Sequence, residues 1–177
     1  EYASVITIFT LMMLMNAFNM VDGVDGLAGM LAIVSLMSVC ALSVLHSVGE
    51  VIGIAVCLVA SILGFLFLNY PYKSRPFCVY LGEFGVTSIG LVAACLVIYT
   101  TQSAEHPVYP VVALWILGVP LLDAISTVLR RLRNGANPFR ADRQHLHHLL
   151  LRLGFSNRQV VITEGALSLM IASAAIG

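Results

Sequence analysis

The chain has 177 residues, of which 59% are hydrophobic and 10% charged, with nine Lys and Arg balanced by nine Asp and Glu. A mean hydropathy of +0.96 excludes an ordinary soluble domain and makes lipid the expected solvent. At about 20 residues per crossing, this length holds five or six membrane helices, so the expected fold is an all-α polytopic transmembrane helix bundle.

Apolar runs predict those helices over approximately residues 5–15, 27–45, 51–68, 86–100, 108–129 and 160–176. The first is incomplete. The run 86–100 is short for a full span and must borrow residues from its flanks or lie partly buried in protein. Asp123 is read as the one carboxylate set well inside an apolar run. The chain begins Glu1-Tyr2-Ala3 and ends inside the last run, so residues 1–177 are expected to be a single domain cut from a longer protein, a C-terminal portion lacking N-terminal helices. Cys40, Cys57, Cys78 and Cys95 show no spacing for metal or disulfide and read as small apolar residues.

Laid alternately up and down, the helices bring the polar segments 16–26, 69–85 and 132–158 to one edge. All nine basic residues, Lys73, Arg75, Arg130, Arg131, Arg133, Arg140, Arg143, Arg152 and Arg158, fall at or near that edge. Short cytoplasmic loops carry such an excess, so this edge is expected to face the cytoplasm as cytoplasmic-face loops. The opposite loops hold only His46, Glu50, Glu105 and His106 as ionisable groups. There is no nucleic-acid motif, and no nucleic-acid partner is expected.

Three segments on this edge carry chemistry. In Asn16 to Ala28, two Asn and two Asp-Gly pairs lie between apolar runs. The Asp-Gly pairs predict tight bends, and their oxygens suit either a hard cation such as Mg²⁺ or a solvated, capped turn. In residues 69–90, Pro71 and Pro76 break helix, Lys73 and Arg75 suit phosphate, Tyr80 offers a stacking face, and Glu83 lies between Gly82 and Gly85. Glu83 there fits a Mg²⁺ ligand or an exposed loop acid equally. The third segment runs from Asp123 through RRLRNGANPFRADRQHLHHLLLRLGF. Its Arg143, His145, His147 and His148 suit an anion, with zinc ranked lower because no third ligand is evident. Asp123 itself is expected to make a structural ion pair with Arg130 or Arg131.

Taken together, NAFNMVDGVDGLAG, the loop with a glycine-flanked acid, and PLLDAISTVLRRLRNGANPFRADRQHLHH resemble the polyprenyl-phosphate N-acetylhexosamine-1-phosphate transferases over the whole chain. The His-x-His-His spacing at 145–148 is most similar to the bacterial branch that uses undecaprenyl phosphate and N-acetylglucosamine-1-phosphate. The resemblance implies a membrane transferase that moves a sugar phosphate from a UDP-sugar to a polyprenyl phosphate and releases UMP. It would act at the cytoplasmic face of the bacterial inner membrane, at the start of cell-envelope polysaccharide synthesis (O-antigen or common antigen). The implied cofactor is Mg²⁺, with Mn²⁺ able to replace it, and the implied partners are the two substrates, membrane lipid and a second copy of the chain in a homodimer.

By motif position, Asn19 and Glu83 would approach the metal. Asp22, Asp25, His147 and His148 would be catalytic, with Asp25 also lining the nucleotide pocket. Tyr80 would stack on the base, and Arg143 and His145 would hold the pyrophosphate or sugar. Two departures stand out. The family's Gly-Asp-x-Gly-Ser reads Gly82-Glu83-Phe84-Gly85-Val86 here, and the aspartate pair of an earlier helix is absent. A degenerate, non-catalytic membrane homologue is therefore the alternative expectation, and a transporter or channel a third.

Overall fold

The computed structural model describes residues 2–69, 79–102, 108–135, 137 and 145–176. Those residues form eight helices and no strand: α1 (Tyr2–Val21), α2 (Leu27–Leu45), α3 (Gly49–Asn69), α4 (Gly82–Thr101), α5 (Pro110–Ile116), α6 (Gly118–Arg133), α7 (Leu146–Arg152) and α8 (Asn157–Ile176). Five are long and apolar enough to cross a membrane, and α5 with α6 supplies a sixth if that bent pair counts as one span. The protein is an all-α, multi-pass membrane protein.

The axis of the bundle is α2, which packs against α3, α4 and α8 and is 67% buried, against 22% for the spans of α1 and α3. Its composition explains the position. Ala28, Gly29, Ala32, Ser35, Ser38 and Ser43 are all buried along it, and small residues let helices approach closely where lipid provides no hydrophobic drive to association. A Cβ on Gly29 would stand 2.8 Å from Leu66 Cδ2 of α3, and one on Gly90 of α4 would stand 3.0 Å from Phe18 Cβ of α1. A second, smaller core joins Val21, Val24, Leu27 and Leu31 to Val119 of α6 and to Val160 and Val161 of α8. That cluster pins the α1–α2 turn to the ends of α6 and α8, which carry the remaining polar residues of this edge.

Three helix expectations meet the structure, the second as expected in length but not in the place of Glu83. First, α1 runs through Asn16 and Asn19 to Val21, because nothing before Gly23 interrupts its hydrogen bonding and Asn costs a helix only tenths of a kcal/mol, up to roughly 0.7. Second, the short run at 86–100 becomes the 20-residue α4 by taking Gly82 to Gly85 into its first turn. Glu83 is thus a helical residue, not one in a glycine-flanked turn.

The third change is the run 108–129, which breaks at Leu117, where α5 and α6 meet at 85°. Pro120 has no N–H for the Ile116 carbonyl four residues back, the bond that would carry one helix across the break. Ser35 Oγ of α2 donates to that carbonyl at 3.2 Å instead. Beyond the break, α6 turns Leu122, Ile125, Leu129 and Leu132 outward and buries Asp123, Thr127 and Arg131, spaced four apart, on its inner face.

At the far end of the bundle the contacts are simple connections. Tyr99 donates to Glu50 Oε2 at 2.6 Å, and the hydroxyls of Ser43 and Thr100 lie 3.4 Å apart. Cys40, Cys57 and Cys95 are free thiols; Cys78 lies outside the described residues.

Candidate functional site

The Asp-Gly pairs make the bends expected of them. Gly23 N–H donates to the Val21 carbonyl at 2.8 Å and Leu27 N–H to that of Val24 at 2.9 Å. Gly26 enters α2 with φ of 84°, in the left-handed region that favours glycine. The loop opens on a cleft of about 230 Å³ lined by Asp22 to Gly26, Gly29, Phe65, Asn69, Tyr80 and Leu81. Tyr80, 71% exposed, stands at its rim. Asp22 opens onto this space, yet the surrounding protein removes enough water to push its carboxyl above the ordinary carboxylate range, and the neighbouring charge of Asp25 adds to the shift.

The histidines pack against this loop. His147 is 1% exposed and lies so close to the loop that a Cβ on Gly23 would stand 2.1 Å from its Nε2. His145 and His147 stack with centroids 5.8 Å apart and planes 6° from parallel, and the His147 and His148 rings are 4.2 Å apart. Neither ring nitrogen of His147 has a hydrogen-bond partner among the described residues. Burial, followed by the nearby charges of His148 and His145, lowers its pKa to about 4, with Asp123 opposing. His147 is therefore neutral near pH 7, a weak base and unsuited to clamp an anion by charge.

Asp123 differs from expectation. Among the described residues it is held by His145 and Leu146 rather than by Arg130 or Arg131. Its Oδ2 lies 2.7 Å from His145 Nδ1, and its Oδ1 accepts the Leu146 N–H at 2.8 Å. Local spacing could not reveal a partner 22 residues away, although the four-residue repeat of Asp123, Thr127 and Arg131 marks the inner face of α6.

A family model described as glycosyl transferase family 4 matches residues 1–101. The chain belongs to that family. It is 40% identical over 116 residues to the undecaprenyl-phosphate alpha-N-acetylglucosaminyl 1-phosphate transferase of Escherichia coli (strain K12), covering 66% of this chain and 32% of the relative. The protein of the same name from Yersinia pestis is 44% identical over 111 residues, 62% of this chain and 30% of the relative. That from Haemophilus influenzae is 42% identical over 106 residues, 59% and 30%. This family 4 chain spans about a third of the length of the curated relatives it matches. The histidine segment lies beyond the family-model match.

Of the expected site residues, Asp22, Asp25 and Tyr80 share the cleft, and His145, His147 and His148 form one cluster against its loop. Asn19 is half-buried in the last turn of α1, and Glu83 is exposed in the first turn of α4, outside the cleft lining. Phe18 meets Gly90, so a rise of about 1.5 Å per residue leaves Asn19 and Glu83 about 9 Å apart along the bundle. Arg143 lies outside the described residues, as do Lys73, Arg75, Arg140 and Asp142.

Among the described residues no group of three His, Cys, Asp or Glu side chains is arranged to hold a metal. The chemistry of the cleft nevertheless fits a hard cation. Asp22 and Asp25 are oxygen donors whose mutual repulsion already disfavours charge on Asp22, and a divalent cation beside them would relieve that repulsion.

Sequence reasoning missed three residues. Phe65 and Asn69 line the cleft, and Asn69 Nδ2 donates to the Val79 carbonyl at 2.7 Å, tying the end of α3 to the strand of chain that leads into α4. Asn69 ends an apolar run, and that was its only signal. The third is Glu164, a second carboxylate inside an apolar run. It is buried at 1% exposure in α8, with no hydrogen-bond partner for either oxygen among the described residues.

Proposed function

We propose that the protein transfers N-acetylglucosamine-1-phosphate from UDP-N-acetylglucosamine to undecaprenyl phosphate, releasing UMP, at the cytoplasmic face of the bacterial inner membrane. The product would begin a cell-envelope polysaccharide such as O-antigen or common antigen. One observation supports this reading: His147 packs directly on Gly23, so the histidine segment lies against the loop whose paired aspartates line a cleft beside Tyr80.

In this reading Tyr80 stacks on the uracil. A phosphate oxygen of the lipid attacks the sugar-linked phosphorus, a new P–O bond forms, and the bond to UMP breaks with its electron pair leaving on UMP. Asp22, with its raised proton affinity, would take the last proton of the lipid phosphate, with Asp25, His147 and His148 as the further catalytic candidates. His145, His148 and Arg143 would orient the pyrophosphate and sugar. Mg²⁺, or Mn²⁺ in its place, would supply charge neutralisation at the pyrophosphate when bound, with Asn19, Glu83 and Asp25 as its candidate ligands.

A non-catalytic homologue is the second reading. It is favoured by the exposure of Glu83 away from the cleft and by the full burial of Val86 in the core, at the place where the resembled motif carries a hydroxyl. The deciding experiment is UMP release from UDP-N-acetylglucosamine and undecaprenyl phosphate by membranes expressing the full gene, with and without Mg²⁺ and with Glu83→Asp. The expected result is Mg²⁺-dependent release by the native protein. Release only after Glu83→Asp would identify a decayed metal site, and silence in both would establish the non-catalytic reading.

A further inference from the structure

The polar inner face of α6 serves no obvious packing purpose. Burying Asp123 at the edge of a membrane protein is costly unless every lone pair is used, and both of its oxygens are used by one segment. Oδ2 meets His145 Nδ1 at 2.7 Å, and Oδ1 accepts the Leu146 N–H at 2.8 Å. The Leu146 amide opens α7, and His145, its capping residue, makes no side-chain cap of its own. Asp123 therefore caps α7 from another helix.

A carboxylate can only accept, so the hydrogen of the 2.7 Å contact belongs to His145 Nδ1. Nε2 is left as the outward nitrogen, and the ring plane is fixed. Thr127, one turn along α6, adds its hydroxyl at 3.4 Å from the same Nδ1. The fixed ring stacks parallel to His147, and His147 rests on Gly23 of the aspartate loop. Helix α6 is itself held at its bend by the Ser35 bond to the Ile116 carbonyl.

We propose that Asp123 is the positioning residue of the histidine cluster: by accepting from His145 Nδ1 and Leu146 N–H it sets the tautomer of His145 and the placement of His147 over the Asp22–Asp25 loop. This rests on the transfer reading for its catalytic consequence. The geometric part stands without it.

The test uses the full gene product in lipid nanodiscs as wild type, Asp123→Asn and Asp123→Ala, with His145→Gln to assign the signal. ¹⁵N-histidine magnetic resonance of the wild type should show His145 protonated at Nδ1. In Asp123→Asn, an amide of the same size can still accept the Leu146 N–H but presents an N–H to the ring. The tautomer should invert while the thermal midpoint stays near that of the wild type.

Turnover in UMP release should then fall about 10- to 100-fold, as for outer partners of an active-site His, with KM unchanged. Asp123→Ala should lose turnover and thermal stability together. A wild-type His145 protonated at Nε2, or an Asp123→Asn protein with wild-type turnover, would overturn the proposal. If the wild type releases no UMP at all, the transfer reading fails alone, and the tautomer measurement still decides the role of Asp123.

Discussion

Gly23 shows how little room the site leaves. Its φ is not among the positive values of the chain, so alanine is permitted by the backbone, yet the added methyl would stand 2.1 Å from His147 Nε2. Gly23→Ala is expected to leave the helices folded, displace His147 by an ångström or more and lower UMP release about 100-fold, the cost of a misplacement of that size. Unchanged release would show that the contact does not matter to turnover.

His147 also ties stability to pH. Its folded-state pKa is about 4, against an ordinary value of 6.5. Between those values the unfolded chain holds the extra proton and the folded one does not, so stability is full above pH 6.5 and falls as pH drops toward 4. After allowance for solvent screening the loss is about 1–3 kcal/mol. A lower thermal midpoint at pH 5 than at pH 7, with the difference reduced in His147→Leu, would confirm it.

At the scale of elements, the bend between α5 and α6 is tied to α2 by a hydrogen bond. Ser35 is fully buried, and its hydroxyl serves the Ile116 carbonyl that Pro120 leaves without an i+4 donor. Ser35→Ala is expected to cost about 1 kcal/mol and to lower the thermal midpoint by about 2–4 °C, measured by thermal unfolding in detergent. No change would mean that the bend is held by side-chain packing alone.

The boundaries of this element also show what the sequence could tell. Hydropathy identified an apolar run at 108–129 because it counts residues without regard to direction. The 85° turn depends on Pro120 and on a serine 81 positions away from Ile116. The Asp-Gly bends were legible because glycine and aspartate act locally. The pairing of Asp123 with His145 was not, because it is made by the bundle. Asn19 and Glu83 were read as polar breaks, yet both lie in helices, since neither residue type by itself stops a helix.

For the whole molecule, the three polar segments expected at one edge do meet there where they are described: the Asp22–Asp25 loop, the end of α3 with Tyr80, and the histidines. Orientation in the membrane follows as a prediction from the basic residues of that edge. A cysteine placed at Asn134 should be labelled by a membrane-impermeant maleimide only in inverted vesicles, and one placed at Ser47 only in right-side-out vesicles. The opposite pattern would invert the topology.

The turn between α5 and α6 has one further effect. With α5 packed along α4 and α8, the 85° bend turns α6 across the direction of α5, its leucines outward and Asp123 toward the histidines. In the proposed transfer, a lipid-borne acceptor would then reach the site sideways and stay in its own leaflet throughout. Its supply is set by two-dimensional diffusion, and the quantity that governs encounter is its surface density in the membrane, so diluting it with inert lipid slows the reaction even when its amount per volume is held constant.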